Sequence, residues 1–93
     1  MNIILQILKD NKQFLFEKYP LKSLALFESY SRGDYTTESD VDIMVDFSKP
    51  IGIKFLDLCY DIEALIKKEV DLVSRKAIKP KQYLFIQQDL KYV

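Results

Sequence analysis

The sequence contains no histidine and only one cysteine, Cys59. Without histidine the chain cannot form His-ligated zinc sites, Ser-His-Asp triads or Cys-His dyads. A single cysteine cannot form an internal disulfide, which is typical of proteins kept in a reducing compartment, so we expect a cytoplasmic location. Any catalytic chemistry in this chain must therefore depend on other side chains, above all on its carboxylates.

The chain also lacks a net charge, because 14 basic residues balance 14 acidic ones. Binding along a nucleic-acid backbone depends on a basic surface, so the balance argues against a long nucleic-acid partner. It does not exclude a single nucleotide held through a metal ion. The N-terminal segment has no basic region ahead of its apolar residues, and Lys9 and Asp10 interrupt the apolar run. The sequence therefore predicts neither a signal peptide nor a membrane span.

The chain has 93 residues, 48% of them apolar, which argues against disorder and predicts one compact domain over residues 1–93. Apolar residues at helical spacing predict an amphipathic helix over residues 2–18, which ends before Pro20. A second helix is predicted over 53–67, with Cys59 on its apolar stripe as a small buried hydrophobe. Pro80 is typical of a helix start, and we expect the last helix to continue to about residue 92.

Short apolar runs predict three strands, over residues 23–27, 41–47 and 69–74. The order is then helix, strand, loop, strand, helix, strand, helix. This order favours an α+β fold in which a three-stranded mixed sheet is flanked by helices.

Three aspartates in or beside these strands require an explanation. Alternation along a strand places Asp40 and Asp42 on one face, while Val41 and Ile43 point into the core. Asp71 interrupts a short apolar strand, where an unpartnered carboxylate is costly to bury. Convergent carboxylates repel one another unless a cation neutralises them, and hard cations such as Mg²⁺ prefer oxygen ligands. Two metal ions between these carboxylates and a triphosphate would clamp the attacking and leaving oxygens of a displacement.

A polar loop precedes the first aspartate pair. Ser29 offers a hydroxyl and Arg32 a guanidinium, and both groups suit phosphate oxygens. Gly33 gives the backbone the freedom that a tight turn requires. If only Asp40 and Asp42 are considered, a purely structural role, in which they merely solvate a strand edge, is as strongly favoured as a functional one. Asp71 and the loop make the structural role the less favoured alternative.

The loop and the aspartates together resemble the motif of the nucleotidyltransferase superfamily that includes DNA polymerase beta. The resemblance is closer to the minimal nucleotidyltransferases, the antitoxin halves of HEPN–MNT toxin–antitoxin pairs. Their motif reads Gly-Ser, two variable residues, Arg-Gly, then Ser-Asp-x-Asp, with a third aspartate on a later strand. The residues of this chain that match it are Ser29, Arg32, Gly33, Ser39, Asp40, Asp42 and Asp71.

The resemblance implies magnesium-dependent transfer of AMP from ATP, with pyrophosphate leaving. It implies that Asp40 and Asp42 hold two Mg²⁺ ions, and that Asp71 holds the catalytic one and helps to activate the acceptor hydroxyl. Ser29 would contact the terminal phosphates. The implied acceptor is a tyrosine of a cognate HEPN toxin, which adenylylation silences. Since the chain has no second domain for the base and the acceptor, this partner or a second copy of the chain would complete the site.

One residue departs from the motif, because Glu28 occupies the position of its first glycine. A glutamate adds bulk and negative charge where a triphosphate should lie. The alternative is therefore a catalytically impaired antitoxin that neutralises its partner by binding alone.

Overall fold

The structure, a computed structural model, describes residues 3–27 and 40–93. Within those ranges the helices are α1 (Ile3–Asp10), α2 (Lys12–Lys18), α3 (Lys54–Ile66) and α4 (Pro80–Ile86). The strands are β1 (Leu21–Phe27), β2 (Val41–Phe47), β3 (Val70–Ser74) and β4 (Lys91–Tyr92). Short 3₁₀ turns cover Arg75–Ala77 and Gln87–Asp89. None of the described helices reaches the length and apolarity required to cross a bilayer.

The strands form one mixed sheet in the order β3-β2-β1-β4. Strand β1 runs antiparallel to both β2 and β4, whereas β2 and β3 are parallel. The predicted α+β architecture with a mixed sheet is confirmed, but the sheet has four strands instead of three. Parallel neighbours cannot be joined by a tight turn, and α3 provides the crossover between β2 and β3.

The fourth strand corrects the prediction of one helix from residue 81 to about 92. Helix α4 ends at Ile86, and the chain then pairs Tyr92 with Ala25 and Lys91 with Leu26 along β1. The amide of Val93 also donates to the carbonyl oxygen of Leu24 at 2.8 Å. The edge of β1 that faces away from β2 thus provides hydrogen-bond partners for backbone groups of the C-terminal segment.

The N-terminal helix predicted over residues 2–18 is divided in two at Asn11. The Asn11 backbone leaves the helical region at φ −108° and ψ 11°. Its side-chain amide donates to the carbonyl oxygen of Ile7 at 2.8 Å, which gives that carbonyl a partner from outside the helical ladder. The apolar periodicity continues across the break, because Ile4, Leu8 and Leu15 are all buried.

The main core lies between one face of the sheet and helices α1, α2 and α3. Its fully buried side chains come from every one of these elements: Leu8, Leu15, Leu24, Leu26, Val41, Ile43, Val45, Leu58 and Ile62. The predicted apolar stripe of α3 is confirmed. Cys59 is half-buried beside the carbonyl oxygen of Val70, and burial, followed by the charges of Glu63 and Asp71, raises the pKa of its thiol. These surroundings agree with a packing role for Cys59.

The opposite face of the sheet carries the aspartates, but it also has an apolar floor. Ala25, Phe27 and Met44 on this face are at most 5% exposed. Met44 shares a face with Asp42, as the alternation predicts. Beside this floor Asp42 is partly buried, whereas Asp71 on the edge strand β3 is exposed and avoids the burial cost that the sequence suggested.

A polar contact fastens the α2–β1 corner to α3. The hydroxyl of buried Tyr19 donates to Asp61 Oδ2 at 2.6 Å, and Lys18 Nζ lies 2.8 Å from the same oxygen. Burial and the hydrogen bond to Asp61 raise the pKa of Tyr19 far above its ordinary value. The hydrogen bonds from Lys18 and Tyr19 lower the pKa of Asp61.

We expect this contact to contribute stability that is lost in acid. The folded chain holds the pKa of Asp61 below its ordinary 3.8. The contribution is therefore complete above that value and disappears as the pH falls through the folded pKa. At neutral pH, Asp61→Asn should lower the free energy of unfolding by about 1 kcal/mol. Thermal unfolding across pH should show this difference shrinking below pH 3.8. Asp57→Asn, on the same helix, is the control, and an equal pH-dependent loss in that variant would contradict the assignment.

Candidate functional site

The parallel pairing of β2 with β3 brings two of the predicted site residues together. Asp42 lies in register with Asp71 on β3 and with Phe27 on β1. Neighbouring strands are about 4.8 Å apart, and residues in register on parallel strands point to the same face. The sequence prediction that a later aspartate meets the first carboxylates is therefore supported for this pair.

The two carboxylates line a cavity of about 380 Å³ on this face of the sheet. The strands supply Phe27, Asp42, Asp71 and Val73 as its floor. The segment that follows β3 supplies its other wall, consisting of Ile78, Gln82, Phe85 and Ile86. The cavity thus combines two acidic groups with a mainly apolar enclosure, which is typical of small-molecule sites.

The wall of this cavity is held in place by contacts of α4. Pro80 starts the helix, and Gln82 Oε1 accepts a hydrogen bond from the backbone amide of Lys79 at 3.2 Å. The guanidinium of Arg75, in the turn before α4, stacks 3.6 Å from the centre of the Tyr83 ring. These contacts fix the helix that faces the carboxylates.

Asp40 lies directly before β2 and is exposed. Across the described ranges, no three carboxylate, thiol or imidazole groups are placed to hold a metal ion by themselves. Magnesium is usually bound by one or two carboxylates together with substrate phosphates and water, rather than by a cage made only of protein groups. The pair of Asp42 and Asp71 fits this kind of site.

The predicted phosphate-binding residues fall outside the described ranges, as does the motif departure at Glu28. They are Ser29, Arg32, Gly33 and Ser39. The described chain nevertheless fixes where their segment starts and finishes. Phe27 ends β1 and pairs with Asp42 near the start of β2, so both ends of the segment lie beside the carboxylate pair.

The sequence analysis did not identify the apolar residues of the cavity. Phe27 could have been found, because alternation along β1 sets it opposite to Leu26 in the core. Nothing in the sequence indicated that α4 lies over the aspartate face, since that placement depends on tertiary packing. Asp46, on the same face of β2, lies in a second depression with Lys22 and Arg75, outside the carboxylate cavity.

We expect Asp71→Asn to make the stability of the chain less dependent on divalent cations. The variant loses one of the two carboxylates that line the cavity, and carboxylate oxygens are ligands that Mg²⁺ prefers. Magnesium should raise the thermal midpoint of the parent and raise that of the variant less. Asp46→Asn should keep the full magnesium effect. Equal magnesium shifts in the parent and in Asp71→Asn would argue against a cation at this pair.

Comparison with known proteins agrees with this geometry. The chain matches the family model described as a nucleotidyltransferase domain over residues 4–93. A Methanocaldococcus jannaschii protein, provisionally named a protein adenylyltransferase, is 43% identical over 94 residues, which cover 97% of this chain and 94% of the relative. The protein adenylyltransferase MntA of Thermococcus cleftensis is 40% identical over 74 residues, which cover 78% of this chain and 75% of the relative.

Solved structures show the same fold. A chain in a crystal structure of a toxin–antitoxin with AMP-PNP superposes with a TM-score of 0.65 at 26% identity, covering 96% of this chain and 68% of that one. A chain in the complex of tri-AMPylated Shewanella oneidensis HEPN toxin with its MNT antitoxin superposes with a TM-score of 0.59 at 24% identity, covering 98% and 66%.

Proposed function

The chain belongs to the nucleotidyltransferase domain family, and we propose that it transfers AMP from ATP to a hydroxyl group of a protein partner, for which it acts as an antitoxin. The observation that carries the proposal is the in-register pair of Asp42 and Asp71 at one cavity. Relatives named protein adenylyltransferases support AMP as the transferred group. The AMP-PNP present in a structural neighbour supports ATP as its donor.

The proposed reaction is a displacement at the α-phosphorus of ATP. The acceptor oxygen forms a bond to this phosphorus, the bond from phosphorus to the bridging oxygen breaks, and pyrophosphate leaves with that oxygen. Asp71 would accept the hydroxyl proton as general base, because its exposed carboxylate lines the open cavity that the acceptor would enter. Asp42 orients the nucleotide from the adjacent strand.

Magnesium is the cofactor that this donor set suits. Asp40, Asp42 and Asp71 would hold it together with the nucleotide phosphates, and it would supply neutralisation of charge on the phosphate oxygens. Ser29, Arg32, Gly33 and Ser39 are proposed to cradle the phosphates, since their segment starts and ends beside Asp42.

The proposed partner is a HEPN toxin, with a tyrosine as acceptor. A neighbour of the same fold occurs in complex with an AMPylated HEPN toxin. In addition, the cavity is open to the surface beside exposed apolar side chains of α4, such as Leu84 and Phe85, which are 60% and 78% exposed. An open cavity with an apolar rim allows a protein side chain to reach the carboxylates.

We expect Asp42→Asn to reduce AMP transfer by at least about 100-fold, because metal-assisted charge stabilisation contributes several kcal/mol to such reactions. The assay follows label from α-³²P-ATP into the HEPN toxin proposed as the partner. Asp46→Asn should retain the parental rate, because Asp46 lies further along the same face of β2 and does not line the cavity. Transfer by Asp42→Asn as fast as by the parent would refute the proposed chemistry.

A second candidate function is an antitoxin that acts by binding alone, and the observation that favours it is Glu28. Two like charges about 4 Å apart near a protein surface repel by roughly 4 kcal/mol, which corresponds to a loss of several hundred-fold in nucleotide affinity. An outward-pointing side chain would be screened by solvent and salt and would cost much less.

Calorimetric titration of magnesium-ATP decides between these two functions. For an active enzyme, the parent and Glu28→Gly should bind with affinities within about tenfold of each other, as expected for a screened charge. Glu28→Gln keeps the bulk without the charge and thereby separates steric from electrostatic effects. If Glu28→Gly binds magnesium-ATP and the parent does not, the impaired antitoxin is favoured. If Glu28→Gln binds it as well, the loss of affinity in the parent is assigned to the charge of Glu28.

A further inference from the structure

We propose that a second depression, at the other end of the sheet face that carries the aspartates, binds the phosphate monoester group of a small organic molecule. Its volume is about 540 Å³. The residues that line it are Lys22, Asp46, Phe47, Ser48, Arg75 and Lys76. The two cavities share none of their described lining residues, so this inference does not rest on the proposed AMP transfer.

The ends of three strands meet at this depression. Because β2 and β3 are parallel, both finish at the same edge of the sheet, and antiparallel β1 starts there. Strand β2 ends at Phe47, and β3 ends directly before Arg75. Asp42 and Asp46 are separated by about 13 Å along β2. The depression and the carboxylate cavity therefore lie at opposite ends of one face.

A β-bulge directs Lys22 into the depression. Leu21 and Ser23 pair with consecutive residues of β2, so Lys22 is an extra residue in β1. Regular alternation from buried Leu24 would place Lys22 on the core face of the sheet. The bulge lets Leu21 fill the core instead, while Lys22 lines the depression together with Asp46. Re-aiming a side chain toward a site is a frequent role of such bulges.

Arg75 is held in a fixed orientation at the depression. It begins the 3₁₀ turn after β3, is half-buried, and stacks 3.6 Å from the centre of the Tyr83 ring. A guanidinium fixed in this way loses little conformational freedom when its planar group of N–H donors binds a phosphate. The end of β2 is also fixed, because the amide and the hydroxyl of Ser48 donate to the carbonyl oxygen of Pro20, at 2.9 and 3.2 Å.

The basic groups of this depression lack counter-ions in the described part of the chain. Lys22, Arg75 and Lys76 form no ion pair with any carboxylate of residues 3–27 and 40–93. Their charges exceed that of the single lining carboxylate, Asp46, by two. The chain as a whole is neutral, so this excess is local. A phosphate monoester carries about −1.5 to −2 charges at pH 7 and would balance the excess, whereas one carboxylate would not.

The size and the lining of the depression indicate an organic ligand rather than phosphate alone. Small-molecule sites have volumes of roughly 300–1,000 Å³, and this depression lies within that range. Phe47 adds an aromatic surface, and its ring packs edge-on against Phe55 with the ring centres 6.2 Å apart. The cations would bind the phosphate group, and the organic group would contact Phe47.

The test titrates phenyl phosphate into the full chain in EDTA and follows the backbone amide signals by NMR. EDTA removes the cation without which the two carboxylates of the other cavity repel a phosphate. The amides of Ser48, Arg75 and Lys76 should shift together. Phenyl phosphate should bind at least about fivefold more tightly than singly charged benzoate, which has the same ring. Inorganic phosphate, which has no ring, should bind more weakly than phenyl phosphate.

Variants assign the binding to the basic groups. Arg75→Gln should raise the Kd for phenyl phosphate at least about tenfold, because it removes charge-assisted hydrogen bonds. Arg75 also contacts Tyr83, so exposed Lys76 provides the variant with less structural risk. Lys76→Gln should raise the Kd at least about threefold. Lys9→Gln is the matched control, because it removes the same charge from α1, on the opposite side of the sheet.

Four outcomes overturn the inference. Binding lost in Arg32→Gln but unchanged in Arg75→Gln and Lys76→Gln would place the phosphate on the segment proposed to cradle the nucleotide. Equal Kd values in Lys9→Gln and Lys76→Gln would indicate only general attraction between charges. Benzoate binding as tightly as phenyl phosphate would exclude selection of a doubly charged group. Inorganic phosphate binding as tightly as phenyl phosphate would exclude an organic ligand.

Discussion

The parallel register between β2 and β3 is the constraint on which the site depends. It sets Asp42 beside Asp71, and a shift of one residue would turn every side chain of β3 to the other face of the sheet. The register is fixed by burial, since Ile43 and Leu72 pair on the core face while the aspartates pair on the opposite one. The same alternation that builds the core therefore aligns the carboxylates.

The two faces of the sheet have different roles that support each other. Helices α1, α2 and α3 bury one face, and the polar contact of Tyr19 with Asp61 fastens the α2–β1 corner to α3. The other face places two carboxylates beside an apolar floor that includes Met44. Asp42 is partly buried there and Asp71 is exposed, so both carboxylates can be reached from the cavity.

The cavity combines residues from three neighbouring strands with residues of α4. Phe27, Asp42 and Asp71 come from β1, β2 and β3, and α4 lies above them between the end of β3 and β4, which pairs with β1.

The sequence by itself determined the α+β class, strand β2 with the bounds found, the core stripe of α3 and the face that Asp42 shares with Met44. These features follow from local periodicity, which is readable along the chain. The break at Asn11 is local, because its side chain donates to the carbonyl oxygen of Ile7 in the preceding turn. Only the tertiary structure decided the pairing of Lys91–Tyr92 with β1 and the placement of α4 over the aspartates. Both depend on hydrogen-bonding groups or apolar surfaces that distant segments present to one another. Such partners are set by the packed fold and leave no periodic signal in the sequence.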